Sequence, residues 1–245
     1  ARPQLASVLP SSANGFDVFS IVKSEDGEIY GVEVAPDQST CEECLAEIRD
    51  PSSRRHRYPF TNCTQCGPRY TIIRALPYDR ANTTMAEFSL CDRCRREYAD
   101  PQDRRYHAEP IACPDCGPRL RFVAPDGNTT TENDDALAAA VDLLRRGLTV
   151  AVKGIGGYHL VCDATCEAAV TRLRRAKNRP HKPFALMVEM QPIDSRFALH
   201  QLAEIDAIEE AALLDPTRPI VLVRRRMTAP LARAEKTLLA APAGD

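Results

Sequence analysis

Eight of the ten cysteines in this chain stand at metal-ligand spacing. Cys41, Cys44, Cys63 and Cys66 read C-x2-C-x18-C-x2-C, and Cys91, Cys94, Cys113 and Cys116 repeat that spacing 50 residues later. A C-x2-C pair wraps two sulfurs around one ion, and a second pair closes the tetrahedron. Soft thiolates suit zinc or iron. Four cysteines leave no coordination position open, so each ion is expected to be structural rather than catalytic. Disulfides are the rival reading, but a knuckle pair repeated twice fits a metal framework in a reducing compartment better. Spacing alone does not fix which pairs share an ion. The simplest scheme joins Cys41 and Cys44 with Cys63 and Cys66, and Cys91 and Cys94 with Cys113 and Cys116; interleaved or swapped halves stay open. His56 and His107 fall one place out of register between the repeats, which argues against a shared ligand role.

The duplication extends past the thiols. CEECLAEIRDPSSRR at 41–55 parallels CDRCRREYADPQDRR at 91–105, and CGPRY at 66–70 parallels CGPRL at 116–120, so one small unit is used twice. Gly67 and Gly117 are expected to accept a tight backbone path beside the sulfurs. Short helices are expected over LAEIRD and RREYAD, stopped at Pro51 and Pro101. RRHRYPF at 54–60 and RRYHAEP at 104–110 set arginine beside aromatics. Such loops contact phosphate and bases, or form the polar surface of a unit too small for a large core; thiolate charge nearby gives these arginines a local role. The bridge at 71–90 reads as a short β-like start followed by a polar turn region.

A second chemistry-bearing region lies further on. Gly154, Gly156 and Gly157 follow a strand ending in Lys153, and Tyr158 and His159 come next. This glycine turn matches neither the P-loop nor the dinucleotide fingerprint, so it implies only close approach of a ligand. RLRRAKNRPHK, from Arg172 to Lys182, carries six Arg/Lys and no acid. Within it Lys177 and Arg179 offer a mobile ammonium and a forked guanidinium to a phosphate; a solvated basic helix end is the plainer alternative. Cys162 and Cys166 are read as packing residues. No paired carboxylates stand out for acid–base work.

The elements that must position these groups follow from pattern. FDVFSIV, KSEDGEIY and GVEV at 16–34 read as a hairpin turning at Asp26–Gly27. A loop at 121–134 leads into an amphipathic helix over 134–147, stopped by Gly147. Then come a strand at LTVAVK, a second apolar segment, a helix over 165–180, a strand at 183–190, one helical stretch from Ile193 to Asp215, and a strand over 218–226. Strands separated by helices predict an α/β or α+β layer. The tail is Ala/Pro-rich without an obvious closing element, so the domain is expected to be partial.

Composition bounds the rest. The 245 residues are 44% hydrophobic and 27% charged, with net charge −2, as expected of a soluble globular protein. Segment 41–119 has 13 Arg against 12 Asp or Glu, not the strong positive field of a dedicated nucleic-acid binder. No apolar run is long enough for a membrane span, and the amino end lacks a secretory signal pattern, so the cytoplasm is the expected compartment.

The doubled cysteine grid followed by VAVKGIGGYHLVCDA and KNRPHKPFALMV resembles the HypF-type hydrogenase-maturation carbamoyltransferases over about residues 30–226. The resemblance implies a remnant of an acylphosphatase-like domain at 1–35, a tandem zinc-finger unit at 36–122, and a partial YrdC-like domain at 134–245. The fold class is then mixed: paired C4 fingers followed by a twisted α/β domain. It further implies two structural Zn²⁺, ATP and Mg²⁺, and carbamoyl phosphate or carbamate as substrate for carbamoyl-adenylate formation. The carbamoyl group would pass to the C-terminal cysteine of a hydrogenase-maturation partner protein. Lys177 and Arg179 match the family's K-x-R and are the implied phosphate-neutralising, catalytic pair. Lys153, Gly156, Gly157, Tyr158 and His159 match its pocket strand and loop, with Lys182 in the same basic run. The transfer domain of the family has no counterpart here, so complete catalysis by this chain alone is not expected. The competing class is a module without catalysis, binding double-stranded RNA through a basic face or a protein through the zinc unit.

Overall fold

The computed structural model describes residues 34–127, 130–188, 195–226 and 238–242. The hairpin expected at 16–34 lies almost wholly outside them. Each cysteine repeat starts with an eight-residue helix, α1 at Glu42–Arg49 and α2 at Asp92–Ala99, with Cys41 and Cys91 at the N-caps. Acidic residues occupy both first turns and an arginine both last turns, as the helix dipole favours. Asp50 and Asp100 leave the helical conformation just before Pro51 and Pro101, where a ring without an N–H cannot continue the ladder.

The bridge departs from its expected form. Instead of a β-like start it makes three short 3₁₀ turns, at Tyr70–Ile72, Arg80–Asn82 and Thr84–Glu87. Ile72 and Met85 are thereby aimed at Tyr58 of the first repeat and Ala112 of the second, with Phe60, Tyr78 and Phe88 packed around them. That small apolar cluster lies between the repeats, and its demand for inward side chains overrides the β propensity of the Thr-Ile-Ile run.

The second unit opens with an antiparallel pair, β1 at Arg121–Val123 and β2 at Thr130–Glu132, and continues into α3 at Asn133–Arg145. Gly147 ends α3 at φ 71°: its N–H donates to Leu144 O and the Leu148 N–H to Leu143 O, the paired bonds of a Schellman cap. β3 at Val150–Gly154 and β4 at Gly157–Val161 form an antiparallel hairpin pairing Lys153 with Tyr158. α4 at Glu167–Ala176 follows, then β5 at Ala185–Val188.

The expected single helix from 193 to 215 is divided. α5 at Ser195–Leu202 gives way to a two-residue strand, β6 at Ala203–Glu204, before α6 at Ala207–Leu214. Asp206 restarts the helix through a capping box with Glu209, satisfying the N–H groups that a break would otherwise orphan. With β7 at Val221–Arg225 and β8 at Leu238–Pro242, the strands form a four-stranded sheet in the order β5-β8-β7-β6, parallel between β5 and β8 and antiparallel elsewhere. Leu186 and Val223 face inward onto Leu199, Ala203 and Leu213, whereas their strand neighbours Met187 and Leu222 point outward. The sheet thus has one packed and one open face. The two units touch where the Ser39 N–H donates to Pro216 O at 2.8 Å and where Arg57 pairs with Asp134 at 2.9 Å. Among the described residues no helix is long and apolar enough to cross a membrane.

Candidate metal centres and candidate anion-binding loop

The eight repeat cysteines gather in the simplest of the pairings open to them. The sulfurs of Cys41, Cys44, Cys63 and Cys66 lie within 4.8 Å of one another, and so do those of Cys91, Cys94, Cys113 and Cys116. Neighbouring sulfurs are 3.5–3.8 Å apart in the first set and 3.6–3.8 Å apart in the second. A tetrahedron with Zn–S bonds of about 2.3 Å has an edge of about 3.8 Å, so both sets fit a zinc ion. They do not fit disulfides, whose sulfurs would approach to about 2 Å, and no disulfide joins any of the ten cysteines. Burial first, and then the charge of Cys66 and Cys63, push the Cys41 thiol up to about 11; a dipositive ion removes that cost of gathering thiolates.

Local chain geometry explains the gathering. Each first pair sits on the opening turn of a helix, and each second pair on a tight turn closed by a glycine. Gly67 has φ 94°, a conformation that side chains resist. Gly117 serves for a different reason: an added Cβ there would run into the Tyr58 hydroxyl and the Ala112 methyl. Arg57 and His107, at the same place in the two repeats, both adopt positive φ, and their N–H groups donate to Ile48 O and Tyr98 O. His107 stacks on Tyr98 at 4.6 Å rather than joining a metal set.

The arginine loops lie across the repeats. Arg104, in the second repeat, donates to Cys44 Sγ at 3.1 Å and to Glu47 at 2.6 Å, both in the first. Arg54, in the first, donates to Cys94 Sγ at 3.3 Å and to Glu97 at 2.6 Å, both in the second. Arg105 and Arg55 repeat the exchange one residue on, each 2.6 Å from the opposite glutamate, and each donating through Nε to an opposite carbonyl, Asn62 O or Ala112 O. Burial pushes the Glu47 and Glu97 carboxyls up, but the arginine hydrogen bonds outweigh it and hold both below the ordinary glutamate range. Arg55 and Arg105 have side chains only 2% and 4% exposed. These four arginines are committed to protein groups, the local role, rather than displayed for nucleic acid.

The second group of expected site residues falls on two structures. Lys153 lies opposite Tyr158 across the β3–β4 hairpin, with Nζ 6.0 Å from the centre of the Tyr158 ring. Gly157 takes φ 148°, open only to glycine, and nothing lies within 4 Å of where a Cβ on Gly156 or Gly157 would stand. The turn therefore leaves room for a ligand to approach the backbone. His159 is exposed, its ring within reach of Gly154.

Lys177 and Arg179 stand on the C-cap of α4. Asn178 between them is at φ 46°, its N–H donating to Arg175 O and the Arg179 N–H to Arg174 O, the same Schellman pattern as after α3 but with asparagine in the left-handed position. That reversal projects Lys177 into solvent and turns Arg179 back over Phe184, 5.4 Å from its ring centre, where its guanidinium donates to Lys182 O and Pro183 O. Lys182 is exposed. Arg174, which residue type alone does not distinguish from the rest of the basic run, is 8% exposed and donates to Arg179 O and Lys182 O, bracing the loop. Its position one turn before the αL residue, on the apolar face shared with Val170 and Leu173, is the signal that marks it. Asp163 is occupied in a turn with Thr165. Cys166 caps α4, and both it and Cys162 are half-buried.

Comparison with known proteins agrees with this division. The HypF finger family model matches residues 40–73 and again 90–123. The Sua5/YciO/YrdC model, described as "Telomere recombination", matches residues 142–240. The chain is 54% identical over 212 residues to a carbamoyltransferase HypF of Synechocystis, covering 86% of this chain and 27% of that protein. It is 47% identical over 211 residues to a probable carbamoyltransferase HypF of Methanocaldococcus jannaschii, with 86% and 27% covered. Among solved structures, T. kodakarensis HypF superposes with TM-score 0.79 at 44% identity, covering 93% of this chain and 29% of that one. A full-length HypF in a phosphate- and nucleotide-bound form gives 0.81 at 41% identity, with 94% and 30% covered. The chain thus spans about a quarter of the length of these curated relatives.

Proposed function

The chain belongs to the HypF family, and we propose that it carries the nucleotide-handling step of a carbamoyltransferase, forming carbamoyl-adenylate from ATP and carbamate or carbamoyl phosphate. The observation that carries this reading is the Lys177–Asn178–Arg179 turn, which sets an exposed ammonium and a braced guanidinium on either side of Asn178 at the end of α4. Carbamoyl phosphate enters after water has released its phosphate as inorganic phosphate, leaving carbamate; a carbamate oxygen attacks the α-phosphorus, the bond to pyrophosphate breaks, and pyrophosphate leaves. Lys177 and Arg179 neutralise oxygens that gain charge along that path. Arg179 exchanges carbonyl partners for phosphate oxygens, a stronger acceptor class. The Gly156–Gly157 backbone, with Lys153, Tyr158 and His159 beside it and Lys182 at the basic edge, receives the adenylate and carbamoyl groups. Mg²⁺ offsets phosphate charge when bound. A relative solved with phosphate and nucleotide supports this reading.

The cysteine sets hold two structural Zn²⁺, and a reducing cytoplasm suits their free thiolates. The carbamoyl group goes on to the C-terminal cysteine of a hydrogenase-maturation partner. Calorimetric titration of the zinc-loaded chain with ATP and Mg²⁺ tests the site. Micromolar binding, about −8 kcal/mol, is expected for the chain, with at least a tenfold loss in a Lys177→Ala/Arg179→Ala variant. Equal binding by the two proteins contradicts the assignment, and salt-sensitive binding of double-stranded RNA in its place favours the module without catalysis.

A further inference from the structure

The exchange of arginines between the cysteine repeats has a thermodynamic consequence. Arg54 and Arg55 lie in the loop between Cys44 and Cys63, and Arg104 and Arg105 in the loop between Cys94 and Cys113. Each loop is therefore shaped by the metal set of its own repeat, yet its guanidinium groups serve the other. The contacts are reciprocal at the same repeat positions, Arg104 to Cys44 and Glu47, Arg54 to Cys94 and Glu97. This is the logic of a two-fold interface between identical subunits, here within one chain.

We propose that the two metal sites are coupled through these exchanged arginines, so that zinc loads and leaves them as a pair. The inference rests on the reading of each cysteine set as a zinc site. When one repeat loses its ion, its loop has little else to hold it, because a unit this small derives most of its folding free energy from the metal. The loop then withdraws its N–H donor from the thiolate of the opposite set, and with it the partners of a half-buried glutamate. Donors of this kind are each worth about 10–100-fold in metal affinity. Arg104 is thus a positioning residue for the first site and Arg54 for the second, each addressed across the repeat boundary.

The test uses the whole chain, reduced and metal-free, titrated with Zn²⁺ and read by native mass spectrometry. Two independent equal sites give about half of the chains one zinc at one equivalent. The coupled pair is expected to show a one-zinc form well below that, with zero- and two-zinc forms dominating. A second readout is Arg104→Lys, which keeps the charge but loses the fork. Under limiting chelator its one-zinc form is expected to hold zinc at Cys91–Cys116, leaving Cys41, Cys44, Cys63 and Cys66 open to alkylation, with release from the first site about tenfold faster or more. Uptake of two zinc ions at saturation with a one-zinc form at half or above overturns the coupling alone. Preferential alkylation of the second set in Arg104→Lys overturns the crossed assignment. Fewer than two zinc ions at saturation overturns the metal reading and the coupling with it.

Discussion

The cysteine unit and the α/β unit solve the same problem, holding a fold together, with opposite materials. In the first, thiol and charge fill much of the interior beside the small cluster of Tyr58, Ile72, Met85 and Ala112: Cys44 and Cys94 are fully buried, and Arg55, Arg105 and Glu109 are nearly so. In the second the interior is Leu186, Leu199, Leu213 and Val223 on one face of a sheet, while Met187, Leu222, Tyr158 and Ile155 stay exposed. A unit too small to bury much apolar surface relies on metal and paired charge; a larger one has hydrophobic burial available and, among its described residues, buries a single charged side chain, Arg174. The difference also divides the labour. Arg54, Arg55, Arg104 and Arg105 of the cysteine unit are committed to internal partners, whereas Lys153, Lys177 and Lys182 of the α/β unit are exposed.

Metal removal should separate the two units most sharply. Structural zinc sites contribute on the order of 10 kcal/mol, so a chelator should abolish slow amide exchange across 41–119 and leave the protected amides of β7 and α6 in place. Acid acts in the same direction on the cysteine unit. Thiolates must stay deprotonated to hold the ion, and the depressed Glu47 and Glu97 carboxyls stabilise the fold above the ordinary glutamate pKa. That contribution is lost as pH falls through their lowered values. Equal loss of protection in both units on chelation would erase the contrast.

A smaller effect is expected within the α/β unit. Leu213→Ala, at 2% exposure, should cost about 2–5 kcal/mol in denaturant melts. Leu222→Ala, on the open face at 62%, should change stability by less than about 0.5 kcal/mol. Smaller still is the αL turn: Asn178→Val should cost about 1–2 kcal/mol and weaken ATP binding, whereas Asn178→Gly should leave both nearly unchanged. A tolerated valine would show that the turn does not set the Lys177–Arg179 geometry.

How far each unit is legible in the sequence follows the same contrast. The cysteine grid is readable because metal ligands come in short local pairs, and the 50-residue repeat makes it unambiguous. The exchange of Arg54 and Arg104 is not, because an arginine that reaches 40 or 60 residues away looks like any solvated arginine. The Glu47/Glu97 and Arg-Arg pairs at matching repeat positions were the only hint. In the α/β unit, α3, α4, β3, β5 and β7 follow from apolar period, whereas β1 and β2 form in a stretch expected as a loop and β8 in a tail expected to lack a closing element. The break between α5 and α6 escapes that reading because Ala203 and Leu213 continue the apolar count while Asp206, three residues before Glu209, carries the stop signal. The 3₁₀ turn at Tyr70–Ile72 escapes it because packing on Tyr58, a long-range contact, decides it. For the candidate nucleotide site, residue types point to phosphate, but the left-handed Asn178 that arranges them needs the structure.

The most direct test of the divided labour is amide exchange of the zinc-loaded chain with and without ATP and Mg²⁺. Slowed exchange confined to residues 150–161 and 174–184, with 41–116 unchanged, is the predicted result. Protection appearing at 54–60 and 104–110 instead, or no protection anywhere in the α/β unit, would contradict it.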